Sequence, residues 1–347
     1  MTTHEFYMKR CIELAKNGLG TTYPNPLVGS VIVHDDKIIG EGWHKKAGEP
    51  HAEVNAVNSV KDKTLLKEAT IYVSLEPCSH FGKTPPCCDL IIANEIPNVV
   101  VGTVDPFAKV AGNGIKKLVE SGKNVTVGIL EDECNELNKR FFTFHQKQRP
   151  YIILKWAETA DGFISPISKE EKSPVWITNP YSRQLVHKWR TEEQAILVGT
   201  NTVLDDNPKL DARDFSGNNP IRIVLDKSGK ISENYHVKNN SQKTIFITES
   251  ENFISTENCI YENAIFDIHL ISSICEILYK NNIQSVIIEG GSKTLQSFID
   301  ANLWDEARVF KGDTTFQNGI LAPNISGNPV ASFDIMNDEL KIFSNYD

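Results

Sequence analysis

Apolar positions in the first 150 residues follow helical spacing and strand spacing in turn. Residues 5–17 place apolar side chains three and four positions apart, which predicts an amphipathic helix ended by Gly18 and Gly20. Later apolar runs are short and bounded by turn residues, as buried strands are. Further strands are predicted at 27–33, 37–42, 69–74, 99–104 and 125–127, and further helices at 51–58, 89–94 and 112–121. Strands alternating with helices indicate an α/β layer structure.

A second α/β pattern begins at Tyr151. The preceding stretch 139–150 is interpreted as a helix end followed by a polar, proline-terminated boundary. At 347 residues the chain is long for one core, so two domains are expected, at 1–146 and 150–347. Strands are predicted at 151–156, 195–199, 221–225, 244–247, 285–289 and 307–310, helices at 180–190, 271–279 and 295–301, and a polar loop after the strand that begins segment 196–213.

Composition narrows the function classes. The net charge is −9 and no lysine or arginine cluster occurs, which argues against a nucleic-acid surface but is compatible with a small anionic ligand held by a few arginines. The N-terminus lacks an apolar signal segment, and no apolar run has the length of a membrane span. Seven cysteines without an export signal favour a reducing cytoplasm. We therefore expect a cytoplasmic protein that binds neither nucleic acid nor membrane.

The stretch EPCSHFGKTPPCC, read together with PHAE upstream, carries the strongest chemical signal. His51, Cys78 and Cys87 form a three-ligand set for Zn²⁺, and a catalytic zinc keeps its fourth position for water. Glu53 lies two residues after the histidine, where it can reach that water without binding the metal. His-x-Glu, then Pro-Cys and a second Cys, is the zinc-deaminase arrangement.

Two alternatives are buried, unliganded side chains and a structural zinc. No fourth Cys or His lies nearby at ligand spacing, which favours the catalytic interpretation. Cys88 adjoins Cys87, and only one of these neighbours can ligate. In the catalytic interpretation zinc lowers the pKa of its water towards neutrality. Glu53 takes the proton and passes it to the leaving amine, the hydroxide attacks the amine-bearing ring carbon, and ammonia leaves.

NPLVGSVIV, GEPHAEVNA and EPCSHFGKTPPC resemble the deaminase half of the bifunctional riboflavin-biosynthesis deaminase/reductase family. Eight residues separate the two cysteines, which is typical of that family, whereas cytidine and tRNA adenosine deaminases have two. The resemblance implies a cytidine-deaminase-like three-layer domain. It also implies substrate contacts from Asn25, His80, Lys83, Thr84 and Asp105. Taken alone, Asn25 between two prolines is also compatible with a turn, and Lys83 with a solvated loop.

The second half has no G-x-G-x-x-G, so the dinucleotide fingerprint is absent. Instead, Glu289-Gly-Gly-Ser runs from a strand into a helix, where glycine permits close approach and a helix start favours phosphate. A simple turn explains this signal as well. Arg190 and Arg213 lie in segments expected to converge at strand ends, although surface salt bridges would account for each arginine singly.

Segments 155–162, 176–190 and 196–213 resemble the reductase half of the same family, whose fold is like dihydrofolate reductase. The resemblance implies an NADPH site lined by Ala157, Trp176, Thr202, Asp206, Gly291, Ser292, Lys293, Thr294, Leu295, Gln296 and Ser297. It implies substrate contacts from Ser173, Arg190, Leu210, Arg213 and Glu289, with the arginines near the phosphate. The chain departs from the family at Phe107 and Ala108 (usually Asn-Pro), at Pro174 (often Ser, for which Ser173 would substitute) and in the tail after Phe310.

The resemblance predicts a bifunctional enzyme of riboflavin biosynthesis that uses Zn²⁺ and NADPH. It would deaminate 2,5-diamino-6-ribosylamino-4(3H)-pyrimidinone 5′-phosphate and then reduce the ribosyl group to ribityl. A homo-oligomer is expected. Two other classes stay open at this point: a nucleic-acid or nucleoside zinc deaminase with an appended binding domain, and a non-catalytic zinc-stabilised scaffold. The acidic charge and the long loop argue against the first, and Glu53 with only three ligands argues against the second.

Overall fold

Two α/β units follow one another along the chain in the computed structural model, Met1–Gln148 and Arg149–Asp347. The structure describes residues 1–81, 85–106, 112–168 and 175–345. Both units contain a sheet with helices packed on it, so the α/β class predicted from the sequence is confirmed. No helix in these ranges combines the length and apolar character that crossing a bilayer requires.

The first unit is organised on a five-stranded sheet with strand order β2-β1-β3-β4-β5. Its strands are β1 (Gly29–His34), β2 (Lys37–Trp43), β3 (Thr70–Leu75), β4 (Asn98–Thr103) and β5 (Asn124–Val127). β1 pairs antiparallel with both β2 and β3, while β3, β4 and β5 are parallel. The carboxyl ends of β3 and β4 therefore lie at the same end of the sheet, where ligands bind in sheets of this kind.

Helices cover both faces of this sheet. They are α1 (Thr3–Lys16), α2 (Ala52–Ser59), α3 (Cys87–Ala93), α4 (Asn113–Glu120), α5 (Glu131–Leu137) and α6 (Lys139–Lys147). The central strands bury side chains on both sides, which their continuous β-branched runs reflect. Gly42 lets α2 approach β2 closely, because a Cβ there would lie 2.6 Å from the carbonyl oxygen of Ala52. This close contact fixes the start of α2 on the sheet.

The second unit has a nine-stranded sheet in the order β11-β10-β9-β8-β12-β6-β13-β16-β15. These strands are β6 (Tyr151–Glu158), β8 (Ala195–Gly199), β9 (Ile221–Leu225), β10 (Thr244–Thr248), β11 (Cys259–Asn263), β12 (Ser285–Ile288), β13 (Glu306–Lys311), β15 (Ala331–Ile335) and β16 (Asp338–Ser344). All are parallel except β16 and β15 at one edge. A separate two-stranded pair joins β7 (Phe163–Ser165) to β14 (Ile320–Leu321).

The helices of this unit are α7 (Pro180–Glu192), α8 (Thr200–Asp206), α9 (Leu270–Lys280) and α10 (Ser292–Asp300). The chain passes from β6 to β8, runs outward to β11, and returns to insert β12 between β8 and β6. Such a reversal of strand order opens a crevice at the carboxyl ends of the neighbouring strands. α10 begins at that crevice, directly after β12.

Two local predictions were wrong, and some elements were not predicted. Residues 139–150 contain a complete helix, α6, because Phe141 and Phe144 are buried one turn apart, and α5 before it was missed. The polar loop expected after β8 is the helix α8, whose Val203 packs into the core and outweighs the weak helix propensity of its threonines. The tail after Phe310 pairs β16 with β13, which the sequence pattern did not predict.

Candidate functional sites

Three elements of the first unit bring His51, Cys78 and Cys87 together. His51 is the N-cap of α2, Cys78 follows β3, and Cys87 is the first residue of α3. The Nδ1 atom of His51 lies 3.7 Å from the sulfur of Cys78 and 3.4 Å from that of Cys87. Tetrahedral zinc with ordinary Zn–N and Zn–S bonds requires N···S edges of about 3.6 Å. The donor set therefore fits a zinc ion.

The group offers three ligands. All three ligand atoms lie within 4.8 Å of one another, and among the described residues no fourth His, Cys, Asp or Glu joins them. Hydrogen bonds from Cys87 and His51 hold the pKa of the Cys78 thiol well below its usual range, which prepares a thiolate for a metal. Three protein ligands leave one coordination position for a water or substrate, as in catalytic zinc sites.

Cys88 is directed away from this group. It is fully buried, and its Sγ donates to the carbonyl oxygens of Pro77 at 3.2 Å and of Gly114 at 3.5 Å. Burial raises the pKa of the Cys88 thiol to about 12. Cys88 is therefore a neutral donor between two backbone segments, which supports Cys87 as the ligand.

Glu53 occupies the first turn of α2, two residues after His51, and is 3% exposed. Burial, followed by the nearby Cys78, raises the pKa of its carboxyl to about 7, although His51 and Cys87 act in the opposite direction. A carboxyl group with a pKa near neutrality can both accept and return a proton.

Asn25 is held by a residue that the sequence analysis did not single out. Its Nδ2 lies 3.0 Å from Nε2 of His44, whose Nδ1 lies 3.2 Å from the carbonyl oxygen of Pro50. Because that carbonyl only accepts, Nδ1 of His44 carries the proton and Nε2 accepts from Asn25. Burial lowers the pKa of His44, which is consistent with a neutral ring. The chain of bonds turns the Nδ2 of Asn25 towards His44, so that its Oδ1 lies on the other side of the amide.

The other predicted residues of this unit that the structure describes follow the carboxyl ends of β3 and β4. His80 is exposed two residues after Cys78. Asp105 is buried just after β4, and its N–H donates to Glu76, another residue that the motif analysis passed over. Lys83, Thr84 and the atypical Phe107-Ala108 pair lie outside the described residues.

The crevice of the second unit is bordered by glycines. A Cβ on Gly291 would meet only the Oγ1 of Thr202, at 3.7 Å, and its φ of −62° is open to any residue. A Cβ on Gly290 would instead lie 2.8 Å from Cβ of Thr294, whose hydroxyl would also be 2.9 Å from a Cβ on Gly199. Gly290 and Gly199 thus seat α10 against β8, whereas Gly291 leaves open space at the helix start. That open space fits the close approach of a phosphate group.

An ion pair joins α7 to the end of β12 in this crevice. Arg190 donates to Glu289 through Nε at 3.2 Å and Nη2 at 2.7 Å, and through Nη1 to the carbonyl oxygen of Asp211 at 3.0 Å. Burial alone would raise the pKa of Glu289, but Arg190 and Lys155 outweigh it and lower the pKa to about 2. Burial lowers the pKa of Lys155, and Glu289 opposes that shift. The sequence analysis missed Lys155, since a lone lysine in a strand carries no motif.

The remaining predicted residues differ in their exposure and in the contacts that they already make. Trp176 is 55% exposed, and the guanidinium of Arg183 lies 4.5 Å from its ring centroid. Arg213 is half exposed and pairs with Asp211 at 2.6 Å. Leu210 is buried, with a left-handed φ of 55°. Ala157 lies on β6, Thr202 and Asp206 lie on α8, and Ser173 is outside the described residues.

Within the predicted run 291–297, the later residues are already engaged in the fold. Leu295 is fully buried in the core, and the Ser297 hydroxyl donates to the carbonyl oxygen of Lys293. Gln296 bonds Asp300 and the backbone N–H of Asn324. A ligand would therefore meet the start of α10, where Gly291 and Ser292 lie.

Comparison with known proteins gives two family matches that together span most of the chain. Residues 1–103 match the cytidine and deoxycytidylate deaminase zinc-binding region, and residues 150–314 match the RibD C-terminal domain. The riboflavin biosynthesis protein RibD of Aquifex aeolicus is 41% identical over 95% of this chain and 89% of its own length. That of Escherichia coli is 36% identical over 88% of this chain and 86% of its own length.

Solved structures agree with these sequence matches. The diaminohydroxyphosphoribosylaminopyrimidine deaminase/5-amino-6-(5-phosphoribosylamino)uracil reductase of Thermotoga maritima is 39% identical, with a TM-score of 0.88 over 99% of both chains. RibD of Acinetobacter baumannii is 30% identical with a TM-score of 0.89, also over 99% of both. The predicted pairing of a cytidine-deaminase-like unit with a dihydrofolate-reductase-like unit is confirmed.

The ligand geometry predicts different outcomes for the two adjacent cysteines. Cys87→Ser should lose most of the zinc, because a weakly acidic hydroxyl replaces a thiolate ligand. Cys88→Ser should keep close to one zinc per chain, since its hydroxyl can still donate to Pro77. Metal content of the purified variants, measured by plasma emission spectrometry, decides the matter. Loss of zinc from Cys88→Ser and its retention by Cys87→Ser would reverse the assignment.

Proposed function

Because this chain belongs to the RibD family, and so is a bifunctional zinc-dependent deaminase and NADPH-dependent reductase of riboflavin biosynthesis, we propose a division of labour between its units. The first unit, predicted from the sequence as 1–146, deaminates 2,5-diamino-6-ribosylamino-4(3H)-pyrimidinone 5′-phosphate. The second, predicted as 150–347, reduces the ribosyl group of the product to ribityl. The observation that carries the proposal is the three-ligand group with a buried carboxyl two residues from its histidine.

In deamination the three ligands would be His51, Cys78 and Cys87. When bound there, zinc supplies a water activated for nucleophilic attack near neutral pH. Glu53 accepts a proton and returns it to the departing amine, so that water is consumed and ammonia is released. The substrate contacts proposed from the family resemblance are Asn25, His80, Lys83, Thr84 and Asp105. Oδ1 of Asn25, turned away from His44, would accept from an amino group of the pyrimidine.

In reduction a bound NADPH would supply a hydride to the sugar carbon bonded to nitrogen, where the ring C–O bond would break and the released oxygen would take up a proton. Gly291 and the start of α10 would take a phosphate of the cofactor, with Ala157, Trp176, Thr202 and Asp206 around it. Glu289 and Leu210 would contact the substrate, and Arg213, half exposed, would meet its phosphate. Arg190 already donates three hydrogen bonds within the protein. Its contribution would therefore be to hold Glu289 and the segment of Asp211 beside the sugar.

The setting of the reactions is also a proposal. Free thiols at all seven cysteines, together with the family's bacterial members, support a reducing cytoplasm. The exposed edge strand β15, with Phe333 half exposed, supports association into a homo-oligomer. The acidic net charge and the phosphorylated small-molecule substrate support the absence of nucleic-acid and membrane partners. The alternative of a nucleic-acid deaminase is not favoured.

Glu53→Gln separates the two reactions. The amide keeps the shape of the side chain but cannot shuttle a proton, so ammonia release should fall about a hundredfold to ten-thousandfold. Zinc content and NADPH oxidation on the already deaminated compound should match the wild type, because neither depends on this carboxyl. Near-normal ammonia release by the variant would remove Glu53 from the mechanism.

Gly291→Val tests the cofactor site. A branched side chain would fill the open space at the start of α10, so NADPH affinity measured by fluorescence titration should drop by about tenfold or more. The melting temperature should change little, because only Thr202 lies near. Gly290→Ala is the matched comparison and should lower the melting temperature, since its Cβ collides with Thr294. Normal NADPH binding by Gly291→Val would place the cofactor elsewhere.

The proposed pathway is tested by incubating the enzyme with the diaminopyrimidine phosphate. Ammonia should appear with or without NADPH, whereas NADPH should be oxidised only after deamination has supplied the second substrate. Ammonia and NADPH are followed separately by a coupled assay and by absorbance. NADPH oxidation without ammonia release would contradict the proposed order.

A further inference from the structure

Glu76 carries a buried carboxylate that the proposed deamination does not use. It stands directly before Pro77 and Cys78 and is 4% exposed. Oε2 accepts from the backbone N–H groups of Asp105 at 3.3 Å and Gly112 at 2.9 Å. Oε1 accepts from those of Gly114 at 2.8 Å and Ile115 at 3.3 Å. One side chain thus satisfies four N–H groups at two separate places in the chain.

A second set of contacts fastens the same segments together. Gly114 packs so closely on the loop of Cys78 that a Cβ there would lie 2.1 Å from the carbonyl oxygen of Pro77. The thiol of Cys88 also donates to the carbonyl oxygens of Pro77 and Gly114. The start of α4 is therefore anchored to the loop that holds a zinc ligand, independently of the carboxylate.

The contacts of Glu76 also occupy N–H groups at the start of α4 that could otherwise bind an anion. Exposed N–H groups at a helix start attract phosphate, and a carboxylate in that place satisfies them instead. The N–H groups of Gly112, Gly114 and Ile115 are all taken by Glu76. These three N–H groups are therefore not available to the phosphate of the substrate.

We propose that Glu76 is a positioning residue for deamination, which holds Asp105 and residues 112–115 at a fixed distance from the zinc ligand Cys78. The inference rests on the proposed function, in which Asp105 contacts the substrate. Among the residues that the structure describes, the hydrogen bonds of the Glu76 carboxylate go to backbone N–H groups, and none goes to His51, Cys78, Cys87 or Glu53. Its effect is transmitted through the backbone N–H of Asp105. Glu76 thereby couples substrate affinity to the geometry of the metal loop without contributing to metal affinity.

Glu76→Gln is the direct test. The amide has the same size, but only its oxygen accepts, so its NH₂ group would face two N–H donors. Losing hydrogen bonds to a charged acceptor should raise the KM for deamination about tenfold or more, while kcat changes less. Zinc should stay close to one per chain. Glu120→Gln makes the same substitution at the exposed far end of α4 and should leave KM and kcat unchanged.

Two further variants separate positioning from a general structural role. If Glu76 acts through Asp105, the KM of Glu76→Gln/Asp105→Asn should rise by less than the product of the single effects. Glu76→Asp keeps the charge on a shorter side chain, so its KM should lie between those of the wild type and Glu76→Gln. It replaces Glu76→Gln as the test if that variant fails to fold. An unchanged KM in Glu76→Gln, multiplicative effects in the double variant or loss of zinc would each overturn the proposal. A wild-type enzyme that releases no ammonia would instead overturn the proposed function.

Discussion

The deaminase unit depends on the meeting of two helix starts with the end of one strand. α2 begins after His51, α3 begins at Cys87, and Cys78 follows β3 on a loop that lies against both. Helix starts suit this task because their first residues are fixed by the helix while their side chains face the end of the sheet. The Nδ1–Sγ separations of 3.4 and 3.7 Å already match the edges of a zinc tetrahedron. The three side chains are therefore placed to bind one metal ion together.

The reductase unit depends instead on a buried ion pair between Arg190 and Glu289. It buries a glutamate at the end of β12 and keeps it ionised with a two-pronged contact from Arg190. Removing either partner would leave a poorly compensated charge in a largely buried place, which costs far more than the pair itself contributes to stability. The same arginine holds the backbone of Asp211, so the ion pair also fixes the segment that carries Arg213. Arg190 therefore both balances the charge of Glu289 and holds the segment of Asp211 in place.

The sequence predicted those parts of the fold and sites that local spacing determines. The proposed zinc ligands and Glu53 follow from spacing around two helix starts, and the strands follow from short β-branched runs. His44 escaped prediction because it acts through the side chain of Asn25, and Glu76 because it acts through backbone N–H groups of distant segments. Neither contact leaves a pattern in the residues themselves. α8 was missed because tertiary packing of Val203 outweighs its propensity. Leu295, assigned to the cofactor site by resemblance, lies in the core, since a run of family positions on a helix includes its inward face.

Zinc K-edge X-ray absorption on the purified enzyme tests the central claim most directly, because it counts the atoms bound to the metal. The account predicts two sulfur neighbours at about 2.3 Å and two nitrogen or oxygen neighbours at about 2.0–2.1 Å, one of them supplied by solvent. That shell corresponds to His51, Cys78 and Cys87 with one open position. Three sulfur neighbours would bring Cys88 into the shell and contradict the account, as would a metal-free enzyme that retained full ammonia release.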